Sequence, residues 1–101
     1  MIELHTAPSV YEKEIHYYED KGQKIYLMVN TFKGSEYLHL RKYYQDFDEV
    51  WKPSKEGIAM KLDFDNSREL FTALVEILSL AESKNILETH FKDILDEIYL
   101  N

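Results

Sequence analysis

Hydrophobic and polar residues alternate along the first part of the chain, which is the pattern that half-buried β-strands produce. The alternation is strongest over residues 24–32, where β-branched and aromatic side chains are frequent. Three further segments show the same period, over residues 10–19, 36–44 and 58–62. Because turn-forming residues at Gly22 and Gly34 separate the first three strands, the pattern predicts a four-stranded antiparallel meander.

The third predicted strand has two chemically different faces, because successive side chains of a strand point to opposite sides. Leu38 and Leu40 occupy the face that we expect to form the core. Arg41 lies on the opposite face, which we expect to be exposed, together with Tyr37, His39 and Tyr43. Before the last strand, Pro53 is expected to prevent regular pairing over residues 51–57.

The hydrophobic period changes from that of a strand to that of an α-helix at Asn66. Asn66 and Glu69 have the spacing of a capping box, and apolar residues follow at helical intervals as far as Ala81. Asn85 and Glu88 repeat this spacing before a second amphipathic segment. The chain is therefore predicted to be α+β, with four strands followed by one long helix and a second C-terminal helix.

The apolar surface of the predicted helices is wider than one stripe, which indicates contacts beyond their own sheet. The helices could fold back as a hairpin within one chain or pair across a two-fold axis. We expect a homodimer, because a four-stranded sheet with one open face offers a limited core. The residues expected at the dimer interface are Leu70, Leu74, Ile77, Leu78, Phe91, Ile94, Leu95 and Ile98.

The composition of the 101-residue chain is that of one soluble globular domain, and it excludes several classes of site. There are no cysteines, which excludes disulfides, thiolate zinc sites and cysteine nucleophiles. No apolar run is long enough for a membrane span and the N-terminus lacks the zones of a signal peptide, so we expect an intracellular protein. The histidines have no metal-binding spacing and no phosphate loop or nucleophile motif is present, so neither an enzyme nor a cofactor is predicted.

The net charge of −7 is distributed unevenly along the chain. Both ends of the chain are acidic, with net charges of −4 over residues 1–20 and −6 over residues 62–101. The middle, residues 21–61, has eight basic and five acidic residues and is therefore positively charged. A local positive surface attracts phosphates even when the flanking surfaces repel them. The charge pattern therefore fits a polyanionic partner at the sheet, and it fits an ordinary solvated surface equally well.

Basic and aromatic residues are interleaved between Phe32 and Lys61, a combination that is typical of proteins that bind single-stranded nucleic acid. Aromatic side chains stack on any base and contribute about 1–3 kcal/mol each, while lysine and arginine contact the phosphates. The alternative is that the aromatic rings cover the edge of the core and that the lysine and arginine side chains are only solvated. Trp51 fits base stacking and a cover for the sheet edge equally well.

Three short motifs follow one another in this region: Phe32-Lys33-Gly34, Leu38-x-Leu40-Arg41-x-Tyr43-Tyr44 and Lys52-Pro53-x-Lys55-x-Gly57-Ile58. In this order and spacing, they make the chain resemble the positive cofactor 4 family of transcriptional coactivators, including its bacterial and phage relatives. The resemblance implies a curved four-stranded antiparallel sheet followed by a helix through which the protein dimerises. It also implies binding of single-stranded DNA or melted duplex across the two sheets of the dimer, with little sequence preference.

The resemblance implies roles for individual residues. Phe32 and Tyr44 match aromatic base contacts, Lys33 and Arg41 match basic contacts to the nucleic-acid backbone, and Lys55 matches a basic residue in the loop before the last strand. The residues expected to bind nucleic acid are therefore Phe32, Lys33, Arg41, Tyr44, Lys52 and Lys55, with Lys24 and Lys61 as secondary candidates.

The sequence thus predicts a non-enzymatic, homodimeric, single-stranded DNA-binding protein that acts in transcription, replication or repair. The alternative is a protein-interaction module of the same fold, whose acidic helices bind a transcription or replication partner while nucleic-acid binding is weak. Ser35 and Glu56 stand where the family pattern has lysines, which lowers the positive charge. Three segments are expected: a flexible N-terminus over residues 1–9, the nucleic-acid-binding domain over 10–82 and a helical extension over 83–101.

Overall fold

The computed structural model of the protein describes residues 2–100, and these residues form two compact units. One unit ends at Asn66 and contains the sheet, and the other begins at Ser67 and contains most of the helical residues. Met1, the first residue of the predicted N-terminal segment, and Asn101, the last residue of the predicted helical extension, lie outside the described residues.

The first unit is built on a four-stranded antiparallel sheet in which each strand pairs with the next along the chain. This order confirms the predicted meander and the predicted α+β class. The strands are β1 (Ser9–Tyr18), β2 (Gln23–Phe32), β3 (Ser35–Gln45) and β4 (Trp51–Lys61), and the helices are α1 (Phe64–Ser79) and α2 (Lys84–Leu100).

The turn between β2 and β3 has two residues, Lys33 and Gly34, between the paired residues Phe32 and Ser35. Both central residues have positive φ, 51° for Lys33 and 79° for Gly34. This is the signature of a type I′ turn, whose twist matches that of the flanking strands. The turn therefore holds Lys33 at the tip of a rigid hairpin.

Strand β4 is longer than predicted, because residues 51–57 continue the pairing with β3. Pro53 lies in this strand opposite Tyr43, and it is tolerated because β4 is at the edge of the sheet. The register shifts between Arg41 and Tyr43, and at this irregularity a Cβ on Gly57 would lie 2.8 Å from the Cα of Arg41. Only glycine allows the two backbones to approach this closely.

The two faces of the sheet differ in chemistry as the alternation predicted. The inner face carries Lys24, Tyr26, Met28 and Asn30 of β2, which pair with Tyr43, Arg41, His39 and Tyr37 of β3. The outer face is apolar and carries Ile25, Leu27, Val29, Leu38, Leu40, Ile58 and Met60.

The prediction of which face is buried was wrong. His39, Arg41 and Tyr43 on the inner face are 0%, 5% and 1% exposed. On the outer face, Leu40 and Ile58 are 44% and 62% exposed in the single chain. The inner face therefore forms the core of this unit, and the expectation that Arg41 projects into solvent does not hold.

The physical reason is that the sheet curls around its inner face. Adjacent strands lie about 4.8 Å apart, so side chains on the two edge strands of a flat four-stranded sheet would be about 14 Å apart. The ring centroids of Tyr17 in β1 and Trp51 in β4 are nevertheless 6.0 Å apart, at an interplanar angle of 85°. Curvature of this degree encloses the side chains between the two edges.

The N-terminal segment, predicted to be flexible, contains a short 3-10 helix over Leu4–Thr6. Ala7, which follows it, is buried. The amide of Thr31 in β2 donates to the carbonyl of Pro8 (3.2 Å), so the N-terminal segment continues the pairing of β1 with β2. These contacts hold residues that the sequence pattern left without structure.

Both helices begin earlier than the predicted capping boxes. The carboxylate of Asp63 accepts a hydrogen bond from the amide of Asn66 (2.8 Å), so Asp63 is the N-cap of α1. The hydroxyl of Ser83 accepts from the amide of Ile86 (3.4 Å) and is placed to cap α2. The prediction that Asn66 and Asn85 cap the helices was wrong, because each asparagine lies inside the first turn.

Candidate nucleic-acid interface

A chain of buried hydrogen bonds runs across the inner face. The side-chain amide of Asn30 donates to the carbonyl of Leu4 (2.6 Å), and its oxygen lies 2.8 Å from Nε2 of His39. Nε of Arg41 donates to Nδ1 of His39 (3.2 Å), and the guanidinium also donates to the carbonyl of Ser54 (3.1 Å). The network links the N-terminal segment to β4 through β2 and β3. Among residues 2–100, no buried side-chain polar atom lacks a hydrogen-bond partner.

The geometry fixes the protonation state of His39. Because Nδ1 accepts a hydrogen bond from the Arg41 guanidinium, it carries no hydrogen, and Nε2 must carry the hydrogen that it donates to Asn30. A charged imidazole could not accept this bond. Burial, followed by the adjacent positive charge of Arg41, lowers the pKa of His39 to about 4.

Tyr43 is the largest side chain buried in the core of the sheet unit. Its ring stacks on Tyr26, with centroids 4.0 Å apart and an interplanar angle of 13°. Burial, followed by a hydrogen bond to Glu12 of β1, raises the pKa of the Tyr43 hydroxyl. Tyr43 is thus held by a stacked ring and by a hydrogen bond at its hydroxyl, and it is part of the scaffold.

Arg41 is buried, although the alternation predicted it on an exposed face. Its guanidinium is enclosed and engaged by His39 and Ser54, so it is not positioned to contact a phosphate in this conformation. Burial lowers the pKa of Arg41. Arg41 acts as a structural cation that joins β3 to β4.

The remaining predicted binding residues, apart from Lys55, lie at two ends of the sheet. At the hairpin end, the ammonium of Lys33 is 5.2 Å from the ring centroid of Phe32. The Phe32 ring contacts Tyr37 (6.4 Å), and Lys61 pairs with Tyr37 across β3 and β4. The hairpin end therefore presents two rings and two lysines.

At the opposite end, Tyr44 of β3 is exposed and pairs directly with Lys52 of β4. The ammonium of Lys52 also forms an ion pair with Asp46 (2.7 Å), which raises the pKa of Lys52 and lowers that of Asp46. Phe47, which follows Asp46 in the loop between β3 and β4, is fully exposed. This end thus places the exposed Tyr44 ring beside Lys52, a lysine that has an acidic neighbour, whereas Phe47 lies between two acids.

Lys24 lies at this same end, on the inner face. Its ammonium is 4.5 Å from the ring centroid of Trp51 and 5.5 Å from that of Tyr17, and it forms an ion pair with Glu14 (2.7 Å). We call these four side chains the Tyr17–Trp51 cluster. The hydrogen bond to Glu14 raises the pKa of Lys24. The sequence-based prediction did not include Tyr17, although the turn at Gly22 places it opposite Lys24 in the β1–β2 register.

The two ends are not brought together by the fold. Lys24 and Lys33 are nine residues apart in sequence at opposite ends of β2, which corresponds to about 30 Å. Lys55 lies between them on β4, 4.0 Å from Glu3. A nucleic acid that contacts both ends must therefore follow the length of the strands.

The residues predicted at the dimer interface lie on both helices of the second unit. Leu70, Leu74, Ile77 and Leu78 are on α1, and Phe91, Ile94, Leu95 and Ile98 are on α2. Six of these eight side chains are exposed in the single chain: Leu74, Ile77, Leu78, Ile94, Leu95 and Ile98. Phe91 lies 6.0 Å from Phe71 of α1, a contact that joins the two helices.

Residues 2–100 contain neither a membrane-spanning helix nor a cluster of metal ligands. None of the helices found there has the length and apolar character needed to cross a membrane. In the same residues, no group of three histidine or acidic side chains comes together as a metal site would require.

Comparison with known proteins gives a family model and a solved structure to which this chain is similar. The family model of the Transcriptional Coactivator p15 (PC4) matches residues 17–64. The structure is similar to that of a bacteriophage T5 homologue of the eukaryotic transcription coactivator PC4 that is implicated in recombination-dependent DNA replication. The TM-score is 0.62 and the sequence identity 26%, and the alignment covers 84% of this chain and 97% of the phage chain. Comparison with curated proteins gives no match.

Proposed function

Because this chain is related to the Transcriptional Coactivator p15 (PC4) family, we propose that it is a non-enzymatic protein that binds single-stranded DNA or melted duplex with little sequence preference. The phage protein of similar structure is implicated in DNA replication, so we place the function in replication, transcription or repair.

The observation that carries this proposal is a repeated pairing of an accessible ring with a lysine. Phe32 lies beside Lys33 at the hairpin, and Tyr44 lies opposite Lys52 at the other end of the sheet. A ring beside a cation can stack on a base while the cation contacts the adjoining phosphate. Stacking tolerates every base, so such pairs support binding without sequence preference.

Acidic partners moderate this surface. Lys24, Lys52 and Lys55 are each within 4.0 Å of a carboxylate. Lys33 and Lys61 have no carboxylate within this distance in the part of the chain that the structure describes. A phosphate must displace an existing partner from the first three, so we expect the hairpin end to contribute most of the salt dependence.

We also propose that the protein is a homodimer. The sheet unit has a small core that is partly polar, while its outer face and the helices expose many apolar side chains in the single chain. Apolar surface of this extent is uncommon on stable monomers. Light scattering at micromolar concentration should give the mass of a dimer, and a monomer would contradict this part of the proposal.

A second candidate function is binding of a replication or transcription protein through the acidic helices. Both lysines of α2 are paired with acids of the same helix, Lys84 with Glu88 and Lys92 with Asp96, so the helix presents net negative charge. In an affinity capture, removal of residues 83–101 should abolish partner recovery if this candidate is correct. Unchanged recovery would exclude it.

The test of DNA binding is the fluorescence anisotropy of a labelled single strand. We expect salt-sensitive binding, and we expect Tyr44→Ala to weaken it by about 5-fold or more without changing the salt slope. Phe47→Ala is the matched control, because Phe47 is an exposed ring between two acids, Asp46 and Asp48. An absence of binding at low salt would refute the proposal.

A further inference from the structure

In the Tyr17–Trp51 cluster, the flexible side chain of Lys24 lies over the ring of Trp51. The ammonium of Lys24 lies 4.5 Å from the centroid of the Trp51 indole, which is half-buried at the edge of the sheet. A lysine end rotates away at low cost, whereas a packed core side chain does not. The indole is therefore a stacking surface that can be uncovered without unfolding.

Resting on the single-strand binding proposed above, we propose that the Tyr17–Trp51 cluster is a nucleotide subsite. A base stacks on the indole of Trp51 in the place that the Lys24 ammonium now occupies, and this ammonium moves to the adjoining phosphate. The ligand class is a nucleotide within a single strand.

The cluster is organised for this exchange before the ligand binds. Tyr17 meets the indole nearly edge-on, at 85° and 6.0 Å, which holds the ring of Trp51 in a fixed orientation. Tyr17 is exposed and Trp51 is half-buried, so part of the cluster faces solvent. A ring held in this way loses little conformational freedom when a base stacks on it.

The charges of the cluster also favour the exchange. Glu14 now neutralises Lys24 at 2.7 Å, and a phosphate would replace one anionic partner by another. Lys24 therefore need not be left without a counter-charge at any stage. The cost is that Glu14 competes with the phosphate, so its carboxylate should lower the affinity.

The position of the cluster connects it to the pair at the same end of the sheet. Trp51 opens β4 and Lys52 follows it, so the indole and the Tyr44–Lys52 pair are on adjacent positions of the edge strand. A strand that crosses the end of the sheet can contact both. The cluster would extend the binding surface from the outer face to the inner face.

The test uses the fluorescence of Trp51, which is the single tryptophan of the chain. The full-length protein is titrated with oligothymidylate while tryptophan emission is recorded, and the anisotropy of the same labelled oligonucleotide is recorded in parallel at low salt. We expect the emission to be quenched and to saturate at the same concentration as the anisotropy. If the anisotropy saturates while the emission stays unchanged, the subsite is refuted and the proposed function stands. If the anisotropy does not rise, both fail.

Two substitutions sharpen the result. Glu14→Gln should tighten binding by about 1.5-fold to 5-fold relative to Glu88→Gln, which removes the same charge from an ion pair in α2. Trp51→Leu should weaken binding by about 5-fold or more, and circular dichroism must show a folded sheet. Equal affinities of the two glutamine variants would contradict the exchange of partners, as would undiminished binding by a folded Trp51→Leu protein.

Discussion

Replacing Asn30 by alanine should destabilise the sheet unit more than its small change in volume suggests. The Asn30 side chain is fully buried and makes hydrogen bonds to three groups on other segments, the carbonyls of Leu4 (2.6 Å) and Ala7 (3.5 Å) and Nε2 of His39 (2.8 Å). Alanine removes these bonds, and a buried polar group left without its partner costs about 1–3 kcal/mol. We therefore expect a loss of about 3 kcal/mol in the free energy of unfolding, which lowers Tm by about 12 to 24 °C in a domain of this size.

Urea denaturation followed by circular dichroism measures this loss. Thr31→Ala is the matched control, because Thr31 is the next residue of β2, is exposed, and keeps its backbone bond to Pro8. It should cost about 1 kcal/mol or less. Hydrogen exchange of the Thr31 amide should also accelerate in the Asn30→Ala protein, because the N-terminal segment loses its anchor. An Asn30→Ala protein as stable as the Thr31→Ala control would refute the role assigned to the buried network.

Three further predictions follow from the same core and surface. The pKa of His39 is about 4 in the folded protein and about 6.5 in the unfolded protein, so the unfolded state binds more protons between these two pH values. The free energy of unfolding should therefore rise with pH across this window, by at most about 2–3 kcal/mol. Denaturation at several pH values should show this rise in the wild type and a smaller rise in His39→Gln. Gly57→Ala should cost about 1–3 kcal/mol, because its Cβ would lie 2.8 Å from the Arg41 Cα and the Leu40 carbonyl oxygen, and an unchanged Tm would contradict the close approach. Lys33→Asn keeps a residue that tolerates positive φ and should reduce the salt slope of single-strand binding by about 0.7. A slope unchanged by Lys33→Asn would contradict a phosphate contact at this position. Arg41→Ala, which removes a buried side chain, should instead lower Tm.

The order of strands and helices could be predicted from local pattern, because alternation, turn residues and helical spacing are properties of neighbouring positions. The turn at Lys33 and Gly34 is an example, since a two-residue loop between alternating segments has few possible geometries. The helix starts were harder to predict. Asp63 and Asn66 are both good N-caps, and the structure selects the first.

The buried face could not be predicted from alternation alone. A period of two separates the faces of β3 but does not say which one is enclosed, and the leucine face looked more like a core than a face with His39 and Arg41. The buried polar groups are acceptable because Asn30, His39 and Arg41 satisfy one another across strands. This depends on register and on the curvature that brings Tyr17 to Trp51, which are properties of the whole sheet.

The proposed function requires that the protein prefer a single strand to duplex, and a competition titration measures this preference. A complex of the protein with a labelled single strand is challenged with increasing unlabelled single strand or with the duplex of the same sequence, at one salt concentration, while anisotropy is recorded. The rings of the half-buried Phe32 and the exposed Tyr44 can stack only on bases that are unpaired and accessible. We predict that the single strand displaces the label at a much lower concentration than the duplex. Displacement by the single strand and the duplex at the same concentration would contradict the proposed preference for single strands.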